Sequence, residues 1–295
     1  MRPRVGPGAS LLSPEFLERL RVGRELFFRR DRRSEWRGRG FGQTPEFDRS
    51  RPYEPGDDLR YLDWNSYARF EKLLLKLFVA DDESRVGILL DTSLSMRESP
   101  AKALLAARMG AAFSWLALAS GRSLFFGAFS AGLLESRGPY RSLQQFPSSL
   151  QFFAEPPPGT RTDLGAGVGE FLLRHRGRHL LVVLSDLFQE RRVIPVLDWL
   201  RQRRVDAHLV QIVDDRELQP RFRGRCSVTD VEAGESLQVS VGQDLLEDFR
   251  VRIGDYLAEV EQACRARSVP YLLARTSADF ERLFLSHLFG DALER

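Results

Sequence analysis

Residues 86–96 read VGILLDTSLSM. A short apolar run ends in a carboxylate, Asp91, and two hydroxyls come after it at alternate positions, Ser93 and Ser95. The run VGILLD has the length and composition of a buried strand. Residues 99–120 (SPAKALLAARMGAAFSWLALAS) read as a helix with Ser99 as its N-cap and Pro100 in its first position. That helix is apolar nearly all round, which predicts burial on every side.

The same alternation continues to the C-terminus. RSLFFGAF (122–129) and LLESRG (133–138) read as strands, and SLQQFPSSLQFF (142–153) as a helix interrupted at Pro147. A helix over 163–175, a buried strand HLLVVLSD (179–186), a helix over 194–204 and a second buried strand DAHLVQIV (206–213) come next. CSVTDVEAGESLQVSV (226–241) alternates on either side of Ala233–Gly234 and predicts a hairpin. A helix over 243–267 carries Leu245, Leu246, Phe249, Ile253, Tyr256, Leu257, Val260 and Cys264 on one face, before a strand VPYLLAR (269–275) and a helix over 278–289. Strands alternating with helices over residues 85–295 predict an α/β fold, a doubly wound and mostly parallel sheet with helices on both faces. Ligands of such sheets bind beyond the carboxyl ends of the strands, where the winding reverses.

Residues 1–84 form a separate expectation. A helix over 14–30, with Ser13 as cap and Pro14 first, leads into a loop and then into a segment dense in charge and aromatics, EFDRSRPYEPGDDLRYLDWNSYAR (46–69). Tyr53, Tyr61, Leu62 and Trp64 want burial, so the segment is expected to be folded and to dock on the main domain. A strand is expected over 73–79.

Composition narrows the function classes. The 295 residues are 43% hydrophobic, enough for a sizeable core, and the net charge is only +3. The apolar stretch 109–120 is too short to span a bilayer, and the N-terminus lacks the apolar core of a secretory signal. Cys226 and Cys264 are too few for a disulfide framework. Together these predict a cytoplasmic protein. Residues 21–39 carry eight arginines against Glu25, Asp31 and Glu35. This is either a solvated helix face or a nucleic-acid-binding patch, and no nucleic-acid-binding motif accompanies it.

Two buried strands end in a carboxylate, Asp91 and Asp186. If they flank the reversal point of the sheet, both open into one crevice, where bare carboxylates repel each other and resist desolvation. A divalent cation resolves both problems. Ser93 and Ser95 point back at the same spot, and Thr162, in PGTRTDLGAG, sits where another loop meets a helix start. This all-oxygen donor set suits Mg²⁺ or Mn²⁺ and not Zn²⁺. The alternative for Thr162 is the N-cap of the next helix, and for Asp163 a first-turn acid facing the helix dipole.

DTSLSM, then Thr162–Asp163, then Ser185–Asp186 resembles the metal-ion-dependent adhesion site (MIDAS) of von Willebrand factor A domains. That resemblance implies Asp91, Ser93, Ser95, Thr162 and Asp186 as ligands, Asp186 acting directly or through water, with Thr160 a competing candidate for the threonine. The upstream block, with its Tyr-x-Pro-Gly-Asp-Asp-x-Arg, Asp-Trp and Ala-Arg, resembles the signature of a bacterial family of unknown function, DUF58. Members of that family carry the block just before a von Willebrand A-like domain and are commonly encoded beside MoxR-type AAA+ ATPases. The resemblance implies a chaperone-like, metal-dependent protein-interaction module, not an enzyme, acting with such an ATPase on a client protein. Within the block, Asp57, Asp58, Arg60, Asp63, Trp64 and Arg69 form either a structural charge network or a partner-binding surface.

Rival chemistry finds less support. A phosphotransfer enzyme using Asp91 as nucleophile would resemble Asp-x-Asp, and position 93 is Ser, so the general acid is missing. GAGVG (165–169) opens a helix but is preceded by no strand, which fails the context of a dinucleotide site. With no Walker A motif, any ATP hydrolysis belongs to a partner.

Overall fold

The structure is a computed structural model that describes residues 11–31, 47–52, 62, 64–70, 72–78, 85–177, 179–188, 193–220, 224–229 and 236–289. The chain divides into two compact units, one of residues 1–34 and 84–295, the other of residues 35–83. The smaller unit contains β1 (Phe47–Pro52), α2 (Trp64–Phe70) and β2 (Leu74–Phe78), with β1 and β2 antiparallel. The strand expected over 73–79 is β2; β1 and α2 were not expected.

In the larger unit the order is α1 (Pro14–Asp31), β3 (Arg85–Asp91), α3 (Leu94–Glu98), α4 (Pro100–Ala119), β4 (Ser123–Phe129), β5 (Leu133–Tyr140), α5 (Phe146–Ala154) and α6 (Leu164–Arg174). It continues with β6 (His179–Ser185), α7 (Val193–Gln202), β7 (Asp206–Val213), α8 (Asp215–Leu218), β8 (Gly224–Thr229), β9 (Ser236–Val241), α9 (Gln243–Ala266), β10 (Tyr271–Arg275) and α10 (Phe280–Phe289). Six strands form one sheet in the order β10-β7-β6-β3-β4-β5. All neighbours are parallel except the edge strand β5, which is antiparallel to β4. This is the mostly parallel α/β sheet flanked by helices that the alternating pattern predicts. Among the described residues β8 and β9 pair as an antiparallel ribbon, and the turn expected at Ala233–Gly234 lies outside them.

The period of two along each strand sorts the core into two layers. Val86, Ile88 and Leu90 of β3 face α1, α4, α5 and α10, while Leu89 faces α6, α7 and α9. Gly110 of α4 shows how close the first layer packs: a Cβ there would lie 2.5 Å from the Phe153 ring of α5. The α4 helix is long and apolar enough to cross a membrane by composition, but 78% of its apolar window is buried inside the protein, as in a core helix.

The α1 helix belongs to this core. Phe16 and Leu20 are fully buried, and Phe16 meets Phe280 and Phe284 of α10 edge-on at ring centroid distances of 5.2 and 5.8 Å. Ser13 caps the helix through the Phe16 amide, and its hydroxyl donates to Glu281 at 2.8 Å. Arg108 of α4 donates to the Leu11 carbonyl and stacks over Phe280.

One expectation is corrected. Pro147 does not interrupt its helix; it occupies the first turn of α5, where its missing N–H has no intrahelical partner to lose. The apolar stripe of α9 is not evenly buried. Val260 and Cys264 are buried where α9 packs on α7 and β10, whereas Leu245 and Phe249 near its start are exposed. Cys264 is a free thiol pushed up to about 11 by burial; the side chain of Cys226 lies outside the described residues.

His208 of β7 is fully buried against Phe113, with its Nε2 2.8 Å from that of His287. Burial, with His287 beside it, holds the ring well below the usual 6.5. A histidine that stays neutral when folded but takes a proton when unfolded contributes stability present above pH 6.5 and lost as pH falls below it. The difference between the denaturant midpoints of wild type and His208→Gln is therefore expected to move in the variant's favour on acidification below pH 6.5, which isolates the His208 contribution. Phe16→Ala is expected to cost about 3–5 kcal/mol in the same assay. Val22→Ala, at a position 78% exposed, is the near-neutral control.

Candidate functional site

The winding of the sheet reverses at β3 and β6. From β3 the chain crosses by α4 to β4 on one side, and after β5 it returns by α6, on the other face, to β6 on the opposite side of β3. The carboxyl ends of β3 and β6 therefore border the crevice in which such sheets bind ligands. Asp91 ends β3, and Asp186 comes directly after β6. Both are buried, at 1% and 3% exposure.

Asp91 is held by backbone and hydroxyl donors. Its Oδ1 accepts the Ser93 amide at 2.9 Å, closing the turn, and its Oδ2 accepts the Ser185 hydroxyl at 2.6 Å. Burial, with the Asp186 charge beside it, pushes the Asp91 carboxyl up to about 7 in spite of these donors. The Ser93 and Ser95 hydroxyls lie 3.1 Å apart. Ser93 stands at the N-cap position of α3, yet its side chain makes no capping bond, and Ser99 caps α4 instead. Neither hydroxyl is thus spent on capping: they meet each other, and that of Ser93 also meets the Asp91 carboxyl.

The loop carrying Thr160 and Thr162 is laced to this turn by the backbone. Leu94 N–H donates to the Thr160 carbonyl at 2.8 Å, and Gly159 N–H to the Thr92 carbonyl at 3.0 Å. Glycine is required at 159, because a Cβ would lie 2.5 Å from the Ser130 Cβ and 2.8 Å from the Thr92 oxygen. Ser130 binds the loop from below, accepting the Thr160 amide and donating to the Arg161 carbonyl. Asp163, not Thr162, is the N-cap of α6, its Oδ1 accepting the Ala166 amide at 3.0 Å. Thr162 is half-buried and Thr160 exposed.

Asp186 is differently placed. The buried Gln211 amide donates to its carbonyl at 2.7 Å, and Leu187, the next residue, has a φ of 56°. A leucine in the left-handed region is strained by about 1 kcal/mol or more, so the turn must be held by its surroundings. The Ser185 hydroxyl accepts the Leu187 amide, and the Tyr256 hydroxyl donates to the Leu187 carbonyl. The Asp186 Oδ2 accepts from the Lys102 ammonium at 2.9 Å, and the same ammonium donates to Glu217 at 2.7 Å. Lys102 is fully buried. Burial alone would lower its pKa, but the Asp186 and Glu217 carboxylates outweigh burial and raise it. Sequence reasoning missed Lys102; its signal was a single lysine in the first turn of a helix apolar nearly all round.

The oxygen set fits a hard divalent cation at Asp91, Ser93 and Ser95. A buried carboxylate whose charge is poorly tolerated stands beside two hydroxyls not spent on capping. No group of three or more His, Cys, Asp and Glu side chains able to hold a metal occurs among the described residues. The fit therefore rests on hydroxyls beside a carboxylate, a hard-donor set unlike the nitrogen and sulfur ligands typical of zinc. In the smaller unit, Asp57, Asp58, Arg60 and Asp63 lie outside the described residues. Trp64 is the first residue of α2, and Arg69, in its last turn, is exposed.

Fold and site define an α/β protein with a buried carboxylate and hydroxyl cluster at the reversal point of its sheet. The chain belongs to the family described as Protein of unknown function DUF58, whose pattern matches residues 49–259. Uncharacterized proteins of Mycobacterium bovis and Mycobacterium tuberculosis are each 27% identical to it over 252 residues, spanning 81% of this chain and 77% of theirs. Among solved structures, the conserved hypothetical protein BatB from Bacteroides thetaiotaomicron aligns over 70% of this chain and 97% of its own, at 11% identity and a TM-score of 0.40. An aerotolerance-related membrane protein from Bacteroides fragilis aligns over 63% and 98%, at 14% identity and a TM-score of 0.36.

An acid raised from 3.8 to about 7 destabilises the folded state progressively as pH rises across that interval, since the folded protein then binds more protons than the unfolded chain. In EDTA at alkaline pH the penalty is complete. Asp91→Asn, which removes the charge at constant shape, is therefore expected to raise stability in EDTA at pH 8 by at least about 1 kcal/mol. Mg²⁺ is expected to raise the melting temperature of the wild type and leave Asp91→Asn unmoved.

Proposed function

We propose that this protein is a non-enzymatic, divalent-metal-dependent interaction module of the von Willebrand A type. On this reading Asp91, Ser93 and Ser95 hold Mg²⁺ or Mn²⁺, with Thr162 or Thr160 and Asp186 completing the set directly or through water. The observation that carries the proposal is the Asp91 turn: one buried carboxylate and two hydroxyls left over from helix capping, at the reversal point of a parallel sheet. The ion would supply a Lewis-acidic centre for an acidic side chain of a partner.

The chain's own residues supply the rest of the reading. Ser185 and the Ser93 amide fix the Asp91 carboxylate, and the Gly159–Arg161 loop buttresses the turn from the side. Position 93 offers no second carboxylate for acid catalysis, so the cluster is read as binding and not as catalysing. The DTSLSM motif and the signature block of residues 46–69 support a MoxR-type AAA+ ATPase as partner, with a client protein as the object of their joint action. Protein maturation or remodelling is the activity we assign to the pair.

Affinity capture from native lysate tests this, with wild type and Asp91→Ala, in Mg²⁺ and in EDTA. An AAA+ ATPase is expected to be recovered by the wild type in Mg²⁺ and reduced about tenfold or more by EDTA or by the substitution, the loss of one charged contact. Equal recovery in all four samples would contradict contact through the metal.

A further inference from the structure

Lys102 is fixed from three directions. Its own amide donates to the Ser99 side chain that caps α4. Its ammonium meets Asp186 at the end of β6 and Glu217 in α8. Glu217 is itself locked, since its second carboxylate oxygen accepts the Asp214 amide at 2.8 Å and Asp214 accepts the Ser99 hydroxyl. The Phe188 ring lies 5.8 Å from the ammonium. A flexible lysine is thereby held as a fixed positive charge on one oxygen of Asp186, in the crevice where Asp91 stands.

A lysine that merely filled space at the start of α4 would not need two carboxylates. An ammonium placed beside a candidate ligand competes with any second cation for that ligand's charge. We propose that Lys102 is the site's built-in counter-ion and sets its metal affinity. It offsets part of the Asp186 charge and occupies one of its oxygens, so that Asp186 does not grip a divalent ion directly and the ion is held weakly until an acidic group from a partner adds the missing charge. This inference rests on the metal-binding reading above and adds to it the residue that limits retention of the ion.

The test is direct binding of Mg²⁺ by isothermal titration calorimetry and of Mn²⁺ by electron paramagnetic resonance, on wild type, Lys102→Gln and Lys102→Arg, each checked for folding by circular dichroism. Lys102→Gln keeps a donor to Asp186 without the charge and is expected to bind either ion about tenfold tighter or more, whereas Lys102→Arg should match the wild type. Binding by Lys102→Gln alone would also support the inference. Equal or weaker binding by Lys102→Gln would overturn it while leaving the metal site standing. Binding by neither protein would overturn both readings. Should Lys102→Gln fail to fold, a wild-type crystal soaked in Mn²⁺ decides: the ammonium still on Asp186, with the ion off that carboxylate, supports the inference. A direct Asp186–Mn²⁺ bond with Lys102 displaced overturns it.

Discussion

Two carboxylates at the ends of adjacent parallel strands are the constraint around which the crevice is built. Asp91 and Asp186 stand where the sheet reverses its winding, buried and within reach of each other's charge. Left uncompensated, such a pair destabilises the fold. The chain answers each carboxylate differently. Asp186 receives an ammonium from inside the core, and Asp91 receives only neutral donors, from the Ser93 amide and the Ser185 hydroxyl. The asymmetry leaves one buried carboxylate with its charge unmet, flanked by two hydroxyls.

Much of what surrounds the crevice serves to hold that arrangement still. The Gly159–Arg161 loop is tied to the Asp91 turn through Thr92, Leu94 and Ser130. The strained Leu187 backbone is held by Ser185 and Tyr256, and Gln211 anchors the Asp186 carbonyl, with Tyr271 donating to Gln211 in turn. Ser185 is shared, donating to Asp91 and accepting from Leu187, so one hydroxyl couples the two carboxylate loops.

The parallel sheet was legible because buried strands and helices announce themselves by length and period. VGILLD, HLLVVLSD and DAHLVQIV could hardly be anything else, and their order of alternation forced a wound sheet. The site was legible only as far as the sequence carries one motif per loop. Asp91, Ser93, Ser95 and Asp186 were readable from strand ends and leftover hydroxyls. Lys102 was not, because sequence periodicity cannot tell which face of a helix apolar nearly all round meets the crevice. The capping role of Asp163 was missed for a smaller reason: Thr162 and Asp163 are both good caps, and the choice depends on where the backbone turns helical. The exposure of Leu245 and Phe249 was hidden for the converse reason, since an apolar stripe records a face without recording how far along the helix a partner extends. In the smaller unit β1 and α2 were obscured by the density of charge in residues 46–69.

The central claim is that the Asp91 turn holds a hard divalent cation. Titrating isotope-labelled protein with Mg²⁺ and monitoring backbone amide resonances tests it most directly. The amides of Ser93 and Leu94, and those of the facing Thr160–Asp163 loop, are predicted to shift together and saturate along a single binding curve. Resonances of this group that stay fixed through millimolar Mg²⁺, or that move no more than amides far from the crevice, would contradict it.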